Sequence, residues 1–167
     1  TLSGGSYPAS QGEHMIAHCL ELLDAAQAHS SYHGEQIGIT TLTMAKRQKI
    51  ILQKKEIDFI TFSYEEKLKL FEKQSALYKE LRESCENKIY KINILKNNPQ
   101  LISERWKAAQ QAISLIHLSP ERLMAALQTM GCPTEPSALG WESALYAHAL
   151  ALAPYTRDRF TFLDITL

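Results

Sequence analysis

Glycine and proline are scarce in this chain, seven and six among 167 residues, and this constrains the fold more than any other feature. These two residues punctuate regular structure most strongly. The long intervals between them carry helix formers, with apolar positions recurring at the 3.6-residue period rather than in strand-like alternation. An all-α fold is expected, one multi-helical domain over residues 1–167. The pattern predicts helices over about 11–24, 33–53, 63–78, 79–98, 99–118, 119–130 and 136–152, with residues 25–32 as a linker. Ser63 and Glu66 read as a capping box, Ser119 as an N-cap ahead of Pro120, and Gly131 as a helix stop. The helix over 33–53 is apolar on most sides at its start and is expected to be buried. The charged helix over 79–98 reads as solvated, with Ile89, Ile92 and Leu95 as its inner stripe. The last fourteen residues are expected to turn from helix to extended chain at Phe160-Thr161-Phe162.

A chain of this length buries roughly 70% of its unfolded surface, enough for a core without disulfides. Hydrophobic residues make up 45% of it and charged residues 22%. No stretch approaches the ~20 apolar residues of a membrane span. Eighteen basic residues balance eighteen acidic ones, so no overall field favours nucleic acid or an anionic membrane. The three cysteines, Cys19, Cys85 and Cys132, form no CxxC pair, which argues against a disulfide framework or thiolate zinc site and for a cytoplasmic setting. The first residues carry neither a signal-peptide pattern nor an initiator methionine and read as the interior of a longer chain.

His14 and His18 stand four residues apart and so share one face of a helix, their Cβ atoms about 5–6 Å apart. A divalent metal takes neutral imidazole nitrogens, and such a pair offers two. His33 opens the next helix after a short linker, so the three imidazoles are expected to form one inward-facing, metal-type site. Gly34 lets the backbone pass close to a bound group. Glu35, in the first turn, complements the helix dipole or orients an imidazole from behind.

The run Glu13-His14-Met15-Ile16-Ala17-His18, followed by His33-Gly34-Glu35-Gln36-Ile37-Gly38, resembles the metal site of the sn-glycerol-1-phosphate dehydrogenases. These belong to the superfamily of iron-containing alcohol dehydrogenases, glycerol dehydrogenases and dehydroquinate synthases. The resemblance extends to Leu139-Gly140-Trp141 and to the closing stretch from Arg157 to Asp164. It implies the helical C-terminal domain of a two-domain fold, with the N-terminal nucleotide-binding domain absent from this chain. It further implies His14 and His33 as ligands of a catalytic zinc or iron, and His18 as a catalytic residue that positions substrate or relays protons. The family's third ligand is an acidic residue upstream of the motif, so the fragment alone is expected to be inactive. The implied activity is NAD(P)-dependent oxidation of glycerol 1-phosphate, reduction of dihydroxyacetone phosphate, or the same chemistry on a similar small polyol. Two other readings stay open, a dehydroquinate synthase-type lyase domain and a non-catalytic helical interaction module. Homo-oligomerisation is left open too.

Arg157 and Arg159 are candidates for a substrate phosphate, or else surface salt-bridge residues. His29 reads as exposed, and His117 and His148 as packing residues. Trp106 and Trp141 read as anchors of helix contacts, Cys19 as a small buried hydrophobe, and the lysine-rich run from 46 to 55 as a solvated helix end.

Overall fold

The computed structural model of the chain describes residues 11–61 and 76–167. Within them the fold is helical, with no strand and a single isolated bridge between Phe59 and Ile165. We number the helices α1 (Gly12–Leu23), α2 (Ala25–Ala28), α3 (His33–Ile51), α4 (Ala76–Lys96), α5 (Pro99–Ser114), α6 (Pro120–Thr129) and α7 (Ser143–Leu152). Short 3₁₀ turns follow at Pro136–Leu139, Ala153–Tyr155 and Phe162–Asp164. No helix among the described residues is long and apolar enough to cross a membrane.

The helix pair that carries the histidines is fixed by packing at both ends. Met15, Ile16, Cys19 and Leu20 of α1 are buried against Ile39 and Met44 of α3 and against Tyr146, Ala149 and Leu152 of α7. Gly12 lies beside Met44, and Glu21 beside His33, so α1 and α3 run antiparallel. A Cβ at position 12 would stand 2.6 Å from the end of the Met44 side chain, so glycine there sets how closely the two helices approach. α3 is buried through most of its length, and even its polar Gln36 and Thr40 are enclosed. Gln36 donates to the Ala28 carbonyl at 2.5 Å and Thr40 to the Gln36 carbonyl at 3.1 Å, while the Gln36 Oε1 is buried without a hydrogen-bond partner among the described residues.

Several expected boundaries move. The linker over 25–32 contains the single turn α2, capped by the Asp24 carboxylate, which accepts from the Gln27 N–H at 3.1 Å. The helix expected over 136–152 is two pieces, because Gly140 adopts φ +73° and ends the 3₁₀ turn before α7 begins. The helix expected over 63–78, with its Ser63–Glu66 box, lies outside the described residues apart from its last turn, which already belongs to α4. Ser119 caps α6 by accepting from the Arg122 N–H, and Gly131 has the left-handed φ of +71° that a helix stop uses.

The charged helix α4 is not solvated all round. Ile92 is buried and Ile89 and Leu95 are partly covered, but the inward face also contains Tyr78, Leu81, Cys85 and Lys88. Lys88 is 2% exposed and forms a 2.9 Å ion pair with Asp164, itself fully buried, while also donating to the Pro154 carbonyl at 2.5 Å. Removal from water pushes the Asp164 carboxyl up and the Lys88 ammonium down, against their mutual attraction. The basic run from 46 to 55 is solvated at Lys46, Lys49 and Lys55, as expected, but Arg47 and Lys54 depart from that reading. Arg47 is partly buried and donates to the carbonyls of Phe162, Leu163 and Ile165, and Lys54 donates to that of Thr166. These cations fasten the final eight residues as a strap across α3, α4 and the segment around Phe59. Beneath the strap a second core joins Ile51, Phe59, Ile92, Trp106 and Ile165.

Candidate metal centre

The strap and the core leave one face of the α1–α3 pair to the three histidines. Their ring centroids lie 6.2 Å apart for His14–His18, 5.6 Å for His14–His33 and 5.7 Å for His18–His33. The first separation follows from one helical turn. The other two depend on the antiparallel pairing, which sets the start of α3 beside the α1 face. The cluster opens to solvent and is not inward-facing: the His14, His18 and His33 side chains are 23%, 42% and 48% exposed. The inward face of α1 is filled instead by Met15, Ile16, Cys19 and Leu20.

Two carboxylates hold the rings. Glu21 lies 2.8 Å from His18 Nδ1 through Oε2 and 3.7 Å from His33 Nδ1 through Oε1, so one side chain spans both helices. Glu13 Oε1 lies 3.0 Å from His14 Nδ1. Adjacent residues on a helix do not normally face each other. Here Glu13 is turned back over the first turn, because the same oxygen accepts the Gln11 N–H at 2.9 Å. With Nδ1–H donated to a carboxylate, His14 and His18 keep the lone pair on Nε2, where a metal can bind, while His33 stands beyond hydrogen-bond distance of Glu21.

Glu35 does not take part. Its carboxylate accepts the Tyr32 N–H at 3.0 Å and caps α3, and it faces a polar hollow shared with Gln27, Ser30, Ser31 and Gly140. The carboxylates that touch the imidazoles are Glu13 and Glu21. Glu21 sits three residues after His18, a spacing that places both on one helix face and that could have identified it from the sequence. Arg157 lies 3.7 Å from Glu80, both exposed, and is joined to α4 rather than to the histidines. Arg159 is partly exposed in the same stretch.

The donor set suits zinc or ferrous iron, which bind neutral imidazole. Three imidazole nitrogens about 2.1 Å from one ion place their ring centroids about 5.2 Å apart at tetrahedral angles. The rings here stand wider than that by about 0.4–1.0 Å. As they stand, no group of three His, Cys, Asp or Glu side chains among the described residues is close enough to hold a metal ion.

Elsewhere the isolated groups keep to packing. Cys19 and Cys85 are buried, which pushes both thiols up to about 12 and leaves them inert as nucleophiles. Trp106 and Trp141 are buried in the two cores. His29 is exposed, as expected, and His117 is half-buried, but His148 is exposed on α7 and is not the packing residue expected. Comparison of the chain with protein-family models, with curated proteins and with solved structures finds no match.

Proposed function

We propose that this chain is the helical metal-binding domain of an NAD(P)-dependent polyol dehydrogenase, of the dehydroquinate synthase-like two-domain fold. His14 and His33 are the metal ligands and His18 stands at the substrate position. The observation that carries the reading is the convergence of the three rings from two helices, each facing a carboxylate at its Nδ1. The wording of the two motifs that bear those histidines supports the reaction class. A divalent ion bound there supplies Lewis acidity toward a substrate oxygen. His18, the better exposed of the two α1 histidines, is open to a substrate, and Glu21 fixes its tautomer so that Nε2 can take or return a proton. Glu21 also ties His18 to His33, so the proton-handling group and a ligand share one orienting carboxylate. In this reading the nicotinamide nucleotide is held by a separate α/β domain, since the 167 residues contain no glycine-rich phosphate loop. The domain taken alone does not turn over, and the setting is cytoplasmic. The substrate is a small polyol or phosphopolyol.

Calorimetric titration of the chain with zinc tests the assignment. One zinc per chain is expected, with affinity falling roughly tenfold or more in His14→Ala and in His33→Ala. A stoichiometry that survives the combined substitution of both would overturn it.

A further inference from the structure

A cavity of 370 Å³ reaches Glu13, the carboxylate that holds His14. Its walls include Trp106 and Ile113 of α5 and Phe160 and Phe162 of the strap. They are set before anything binds: the Trp106 indole N–H donates to the Lys54 carbonyl at 3.0 Å, and Phe160 stands edge-on to Phe59 with centroids 5.5 Å apart. Gln11, Glu13, Gln48 and Thr161 also line it, and none of the described residues lining it is Lys, Arg or His. Apolar, preformed walls with a few converging polar groups are the ordinary make-up of a small-molecule site. Among the described lining residues the only charged group is a carboxylate, which disfavours a phosphate or carboxylate ligand.

We propose that this cavity binds a small uncharged alcohol with an apolar body, aromatic or branched aliphatic, whose hydroxyl meets the amide of Gln48.

Benzyl alcohol is the probe, followed by saturation-transfer NMR on the chain with and without zinc, and zinc binding is measured by calorimetry on the same samples. Ala109 also lines the cavity, and Ala109→Phe fills it from α5. Ile113→Trp does so from the next turn, should the first variant fail to fold. Binding of benzyl alcohol that weakens roughly tenfold or more in a filled variant with unchanged zinc affinity and melting temperature is expected. Inorganic phosphate is expected not to displace it. No transfer to the probe, undiminished transfer in the filled variants, or displacement by phosphate would each overturn the proposal. Binding of the alcohol in a chain that takes up no zinc upholds the cavity and removes the metal reading. Zinc uptake without alcohol binding does the reverse.

Discussion

Replacing Asp164 by asparagine leaves the shape of the strap nearly unchanged but removes the carboxylate that forms a 2.9 Å ion pair with a lysine 2% exposed. The Lys88 ammonium then keeps the Pro154 carbonyl at 2.5 Å but loses its counter-charge. Removing one partner of a buried pair costs about 3–5 kcal/mol, because the remaining charge is left uncompensated. That is a large part of the about 5–15 kcal/mol that holds a domain together. Lys88→Met should cost a similar amount for the converse reason, since Asp164 keeps the Thr161 N–H at 2.7 Å and the more distant charge of Arg47 but loses its ion-pair partner. Lys88→Met combined with Asp164→Leu removes both charges and should cost far less than the two single changes together. It forfeits chiefly the cap on the Phe162–Asp164 turn, worth about 1–2 kcal/mol. Urea unfolding followed by circular dichroism measures all three. The pH dependence of Lys88→Met has a defined sign. Burial raises Asp164 and Lys88 opposes that rise, so without Lys88 the folded-state pKa climbs further above its unfolded value. Stability tied to such a carboxyl is present below the unfolded pKa and is lost as pH rises through the folded one. The penalty in Lys88→Met should therefore be largest near neutrality and shrink as pH falls. Single changes each costing under about 1 kcal/mol, or a double change equal to their sum, would refute the reasoning.

Two further outcomes follow from the site and the turns. Glu13→Gln and Glu21→Gln should each weaken zinc binding by about 10–100-fold, whereas Glu35→Gln should cost about 0.5–2 kcal/mol of stability through its cap with zinc affinity unchanged; calorimetry and urea unfolding separate the two. Gly140→Ala and Gly131→Ala both place a side chain at a left-handed φ, worth about 1–2 kcal/mol. A Cβ at 140 also runs into the Gln27 amide, which donates to the Leu139 carbonyl at 2.6 Å, while one at 131 meets open space. Thermal melts should show Gly140→Ala as the more damaging change.

The residues that made the fold legible were those whose signals are local. Ser119-Pro120 and Gly131 mark the ends of α6, and the apolar period of α1 identified Ile16, Cys19 and Leu20 as core. Lys88 and Arg47 were read as solvated because lysine and arginine are almost never buried without a partner. Their partners come from the strap, 76 residues away for Lys88 and 115–118 away for Arg47, separations that no sequence window spans. Gly140 was absorbed into a helix because the residues on either side keep helical character, and only its positive φ shows the break. At the histidines, spacing brought His14 and His18 to one face, but the reach of His33 depended on the antiparallel pairing of α1 with α3. Glu35 was favoured as the orienting carboxylate for its place beside His33 in sequence. In the fold the unsatisfied N–H groups at the start of α3 claim it first.

The most direct test of the metal reading is the X-ray absorption spectrum of the zinc-loaded chain. At least two imidazole ligands at about 2.0–2.1 Å, with the outer-shell scattering of their rings, are predicted, and this ring signal should vanish in the combined His14→Ala and His33→Ala protein. A zinc shell of oxygen ligands alone, or a ring signal that survives that substitution, would contradict the account.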